Sequence, residues 1–306
     1  MVEGKMLGAS LYVPATHKDL AQIARGEILG ELRSVIFCTE DAVTDSELDS
    51  ALHNLALALR HLSERVGRAR FVRVRSPEIM TRVLAMPGAH RLSGFVLPKT
   101  TRHNFDAYFS QIQSTRYQLM PTLETAEVFD EAEMQQFRRC LMEPRVREHI
   151  LALRIGGNDL LALLGIRRPR TLTIYRTPLG PVIARLITVF RPAGFKLTAP
   201  VFEHLDSPGL LAQEMEEDLA HGLIGKTAIH PSQVSLIEQH YRVHRCDMEA
   251  ALRIICPSSP AVFKMHDSMC EVATHHAWAE GVVAQARIFG LHHDGRETDG
   301  AASFDW

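Results

Sequence analysis

Two carboxylates stand where apolar runs stop. Glu124 ends the run 119–123 (LMPTL), and Asp159 follows 151–157 (LALRIGG), an apolar stretch closed by two glycines. A buried parallel strand delivers a single charged side chain to its C-terminal rim in this way. Magnesium prefers oxygen ligands and takes only one or two protein carboxylates, with water and substrate completing its shell. If the two runs are neighbouring strands, about 4.8 Å apart, Glu124 and Asp159 can share one Mg²⁺ ion. The other reading of each acid is a favourable charge at the N-terminus of the helix that follows.

Further charged side chains lie at other strand ends. Arg73 sits inside 70–75 (RFVRVR), on the same face as Arg75. A guanidinium there either points outward or holds an anionic oxygen with its planar fork. Glu40 and Asp41 follow 34–38 (SVIFC), Lys99 follows 94–97 (GFVL), and Asp206 lies five residues beyond 195–201 (FKLTAPV). Each of these reads equally well as a cap or a surface charge. Arg167, Arg168, Arg170 and Arg176 form a basic stretch after the sixth strand that could receive phosphate or a polycarboxylate, or simply be solvated.

Eight short apolar segments, each followed by a helical pattern, must position these groups: 9–13, 34–38, 70–75, 94–97, 119–123, 151–155, 195–201 and 226–229. Regular alternation of strand and helix implies parallel pairing with right-handed crossovers. Eight such units in about 240 residues fit an α/β fold of the (β/α)8 TIM-barrel type. A doubly wound sheet is the alternative, but no G-x-G-x-x-G follows the first strand. The barrel is expected to occupy 1–245. The remainder, 246–306, is expected to be a helical extension (248–256 and 268–289) ending in a polar tail. The apolar helix 268–289 is the expected subunit contact.

Composition narrows the partners. The chain has 306 residues and a formal net charge of −2, with 46% hydrophobic and 23% charged residues. A nucleic-acid binder would be clearly basic, and no apolar run approaches the roughly 20 residues that span a bilayer. The apolar stretch near the start is too short for a secretory signal. Five scattered cysteines without a C-x-x-C suggest reduced thiols in a cytoplasmic protein. His240 and His244 have the spacing of a helical zinc pair, but there is no H-E-x-x-H, so the sixteen histidines are read as surface or packing residues.

The ordered series LYVPAT, TEDAV, FVRVR, VLPK, TLETA, GGNDL and GKTAIHPSQ resembles the citrate lyase β-subunit-like proteins of the HpcH/HpaI aldolase and citrate lyase superfamily. The resemblance covers roughly residues 11–241. It implies that Glu124 and Asp159 bind Mg²⁺ and that Arg73 holds a substrate carboxylate or carbonyl oxygen. It also places Glu40, Asp41 and Asp206 among the catalytic acids, and Lys99, Gly157 and Asn158 against the substrate. The implied reaction makes or breaks a carbon–carbon bond beside a carbonyl through an enolate. The implied substrate is a small anionic 2-oxo or 3-hydroxy acid, free or as a coenzyme A thioester, and the implied assembly is a homo-oligomer, a trimer or hexamer. Alternative outcomes are a related thioesterase, a malate-synthase-like enzyme, or a metal-dependent binding protein without turnover. The last follows from departures that mark a divergent branch. Asn158 replaces the usual acid before the metal aspartate, Arg75 replaces an asparagine, and Glu127-Val128 replaces Arg-Gly.

Overall fold

The computed structural model describes residues 7–62 and 68–292. Eight strands are β1 (Gly8–Pro14), β2 (Ser34–Cys38), β3 (Ala69–Arg73), β4 (Gly94–Leu97), β5 (Gln118–Leu123), β6 (Leu153–Ile155), β7 (Leu197–Thr198) and β8 (Gly225–Ala228). All pair parallel, in the order β7-β6-β5-β4-β3-β2-β1-β8. A parallel bridge, Ala199 to Lys226, joins the two ends, so the sheet closes into the TIM barrel expected from the eightfold alternation.

Closure sorts side chains by the two-residue period of a strand. The inward positions at the lower end are apolar, with Ile36, Phe71, Val96, Met120 and Ala152 in one buried cluster. Towards the C-terminal ends the inward positions turn polar, through Tyr12, Arg73, Thr122, Glu124 and Arg154. The helices outside start where the chain supplies a cap. Ser76 Oγ accepts from Ile79 N at 3.3 Å ahead of Pro77, and Asp130 Oδ1 accepts from Ala132 N at 2.8 Å. Ser207 precedes the helix Pro208–Ala220 as expected, but makes no side-chain cap; its hydroxyl donates to Asp206 instead.

Contacts divide the chain into Met1–His240 and Tyr241–Trp306. The second unit is not purely helical. Its helices, Arg245–Ile255 and Val272–Phe289, are separated by an antiparallel hairpin of β9 (Val262–Met265) and β10 (Ser268–Glu271). Residues 268–271 were expected to be helical. They pair as a strand because His266 and Asp267 both adopt left-handed backbone (φ +49° and +59°), the two-residue turn that matches strand twist. Met248, Ala251, Ile254, Cys270, Ala279 and Val283 form this unit's core.

Candidate active site

Glu124 leaves the end of β5 pointing inward and is 3% exposed. It caps no helix. Its Oε1 accepts from Lys99 N at 2.8 Å and from the Arg73 guanidinium at 3.2 Å. The approach is close enough to dictate the next strand's sequence: a Cβ on Gly156 would stand 2.2 Å from Glu124 Oε2. At Gly157 a Cβ would meet Ile174 and Pro200 at 2.8 Å. The two glycines therefore let the end of β6 lie against Glu124 and turn into the helix Gly157–Leu163, whose first turn carries Asp159.

Arg73 projects inward from β3. One of its terminal nitrogens meets three carboxylates, Glu40 Oε2 at 2.8 Å, Asp41 Oδ2 at 3.1 Å and Glu124 Oε1 at 3.2 Å. Its Nε is buried without a partner. Lys99 enters from the turn after β4 with a left-handed backbone (φ +47°). That conformation is uncommon outside glycine and collects at functional sites. Asn104 holds the turn by donating to Lys99 O and accepting from Thr101 N, both at 2.9 Å. Lys99 Nζ then reaches Glu40 Oε1 at 2.7 Å, Asp41 Oδ1 at 3.3 Å and Asp159 Oδ1 at 3.8 Å.

Six residues from five strand ends thus converge, with four carboxylates against two cations. The formal balance is −2. Burial pushes the Glu124 carboxyl up to about 7, against the pull of Arg73 and with the charge of Asp159 adding to the rise. Burial also raises Glu40. For Asp41 burial acts upward too, but its hydrogen bond to Glu40 and the charges of Arg73 and Lys99 outweigh it and hold the carboxyl below the ordinary range. Among the described residues no three His, Cys, Asp or Glu side chains form a closed metal cage. The donor set suits an ion that keeps water and substrate in its shell, as Mg²⁺ does. Uncompensated double negative charge, all-oxygen donors and mutual repulsion between Glu124 and Asp159 fit a hard divalent cation.

The other expected residues lie outside this cluster. Asp206 is exposed and pairs with Arg170 at 3.2 Å. Asn158 is exposed and donates to Glu203 Oε2 at 3.2 Å; Glu203 also meets Arg167 at 3.4 Å, so a carboxylate still stands at the corner where Asn158 lacks one. Arg75 lies just beyond the end of β3. It ties down the 40–45 segment through Glu40 O, Val43 O and Asp45, holding in place the chain that carries Glu40 and Asp41. Arg168 is buried against Glu214, and three of the four arginines of 167–176 are therefore already paired with acids.

The sequence reading passed over Tyr12 and Arg154, which face the same interior. The Tyr12 ring lies 5.6 Å from both the Arg73 and Arg154 guanidinium carbons. Burial raises its phenol, opposed by the two arginines. Arg154 carried a signal, a charged residue inside the apolar run 151–155.

The sequence matches the family described as "C-C_Bond_Lyase of the TIM-Barrel fold" over residues 1–291. The chain belongs to this family of carbon–carbon bond lyases. It is an enzyme of that class, with the TIM-barrel fold. Among solved structures it is similar to CitE from Mycobacterium tuberculosis in complex with magnesium, acetoacetate and coenzyme A, at 19% identity. That alignment covers 93% of this chain and 99% of that one, with a TM-score of 0.68. The citrate lyase β subunit from the same organism, complexed with oxaloacetate and magnesium, is 20% identical over 79% of this chain and all of the other, with a TM-score of 0.60. RipC from Yersinia pestis is 18% identical over 78% and 96% of the two chains, with a TM-score of 0.59. No curated protein matches. Among the described residues no helix is long and apolar enough to cross a membrane.

Proposed function

We propose that the lyase binds Mg²⁺ through Glu124 and Asp159 and makes or breaks a carbon–carbon bond beside the carbonyl of a small anionic acid, free or as a coenzyme A thioester. The observation that carries this reading is the rim cluster, four carboxylates facing two cations at the C-terminal end of a barrel. A bound Mg²⁺ would supply electrophilic stabilisation where negative charge develops. Magnesium with acetoacetate and coenzyme A, or with oxaloacetate, in the similar structures supports the same substrate class.

The chain's own residues have separable roles in this proposal. Arg73, clamped by three carboxylates, keeps a buried cation beside the developing enolate oxygen, preorganised so that nothing must rearrange during reaction. Lys99 adds a second positive charge and, through its backbone N–H, fixes Glu124. Glu40, raised by burial, is the group placed to hold and return a proton at Oε1, with Asp41 keeping its partners in position. Gly157 and Asn158 border the substrate space. Asp206, exposed and bonded to Arg170 and Ser207, is an outer residue that stands apart from the rim cluster.

Catalysis is assigned to Met1–His240, with Tyr241–Trp306 an accessory unit. Exposed Val262, Met269 and Trp278 on the latter support assembly into a homo-oligomer, for which the family resemblance implies a trimer or hexamer. A panel of malyl, citramalyl and citryl thioesters with Mg²⁺ tests the reaction. Cleavage of at least one by wild type, lost in Glu124→Gln, is expected. Equal cleavage by the variant would remove the site from the chemistry, and hydrolysis without carbon–carbon cleavage would favour the thioesterase outcome.

A further inference from the structure

Among the described residues the barrel interior holds a cation with no carboxylate in ion-pair reach. Arg154 is 2% exposed and stands on β6 in register with Thr122 of β5 and Thr198 of β7. In-register residues on neighbouring strands share a face, so the three form one inward row. Arg154 donates to Thr227 Oγ1 on β8 and reaches Met120 Sδ at 3.8 Å. Its guanidinium also lies 5.6 Å from the centroid of the Tyr12 ring. Among the described residues no carboxylate pairs with it. The hydroxyls of Thr122 and Thr198 are buried and also lack partners.

An isolated buried charge is strongly unfavourable unless something pairs with it, and a sulfur, a hydroxyl and a ring face are weak compensation. The unpartnered hydroxyls can each donate a hydrogen bond to an anion. Tyr12, half-buried and equidistant from Arg73 and Arg154, connects this row to the rim cluster. The geometry points to a second anion subsite, formed by Arg154, Thr122 and Thr198, that selects a small acid carrying two anionic groups. This rests on the rim reading above, in which the rim cluster holds the reacting carbonyl end of the acid and leaves Arg154 for an anionic group at its other end.

Malate and lactate, which differ chiefly by one carboxylate, separate the two sites when titrated calorimetrically in saturating Mg²⁺. Wild type is expected to bind malate at least about tenfold more tightly than lactate, the scale of one charge-assisted bond. Arg154→Met, which removes the charge and keeps an unbranched apolar stem, should lose that preference and retain lactate binding. Malate should raise the melting temperature of wild type more than lactate does, and that of Arg154→Met no more than lactate does. If that variant fails to fold, Thr198→Val serves, with malate weakened severalfold and lactate unchanged. An undiminished malate preference in the folded variants overturns the subsite. Equal binding of both acids by wild type, still lost in Glu124→Gln, overturns the subsite while sparing the rim reading; binding of neither overturns both.

Discussion

Among the described residues, a charge cluster outside the barrel wall and the one at its rim differ in their arithmetic. Outside the barrel wall, Lys226 Nζ of β8 bonds Glu214 Oε1 at 2.9 Å and Asp218 Oδ2 at 2.8 Å, and Arg168 bonds Glu214 Oε2 at 2.6 Å. Tyr175 donates to Asp218 at 2.5 Å. All four charged side chains are fully buried, and two cations meet two acids. This cluster is neutral and pins the 167–176 segment to the helix Pro208–Ala220. At the rim, four acids meet two cations, and Asp41, Lys99 and Asp159 are partly exposed. A closed, balanced network is scaffold. An open one with surplus charge is a site waiting for its counter-ion, and its surplus identifies the sign of what binds.

The contrast can be broken at either end. The largest effect is expected from Glu214→Ala, which leaves two buried cations with one acid. Breaking a buried pair costs about 3–5 kcal/mol, so denaturant unfolding should show a much destabilised protein. Recovery of wild-type stability would contradict the scaffold role. At the rim, Arg73→Lys should lower turnover roughly hundredfold, the scale for losing a preorganised donor, because a single ammonium cannot replace the fork. Steady-state kinetics of a folded variant reads this directly.

The surplus also makes a pH signature. Glu124 rises from 4.5 to about 7 in the folded protein. A folded-state value above the unfolded one gives stability that is fully present below about 4.5 and lost as pH rises through about 7. This component of metal-free stability should therefore fall across that window. Glu124→Gln should remove it, as urea melts at several pH values would show; an unchanged pH slope would contradict the burial of a charged Glu124. The smallest effect is expected from Asp206→Ala, which removes an exposed pair with Arg170 and should change turnover less than about twofold.

Much of this was legible in the sequence. The alternation of apolar runs and helical patterns carried the barrel, and charges at strand ends marked Glu40, Asp41, Arg73, Lys99, Glu124 and Asp159, because a rim acid interrupts an apolar run visibly. Whether Glu124 capped a helix or faced the barrel was not legible, since both place an acid after a strand. Only the third dimension put Gly156 against its carboxylate. Arg168 read as a solvent or ligand-binding arginine because its partner, Glu214, lies 46 residues away. The hairpin before the last helix was hidden because 268–271 is short and its turn contains neither asparagine nor glycine. Arg154 was visible as a charge in an apolar run, but its lack of a partner is a property of the folded interior alone.

The most direct test of the surplus charge is Mg²⁺ binding measured by calorimetry on wild type, Glu124→Gln and Asp159→Asn, each confirmed as folded. Wild type should bind one Mg²⁺ per chain, and each variant should bind it at least tenfold more weakly while melting at a higher temperature than metal-free wild type. Unchanged Mg²⁺ affinity in both variants would contradict the assignment of the rim as the metal site.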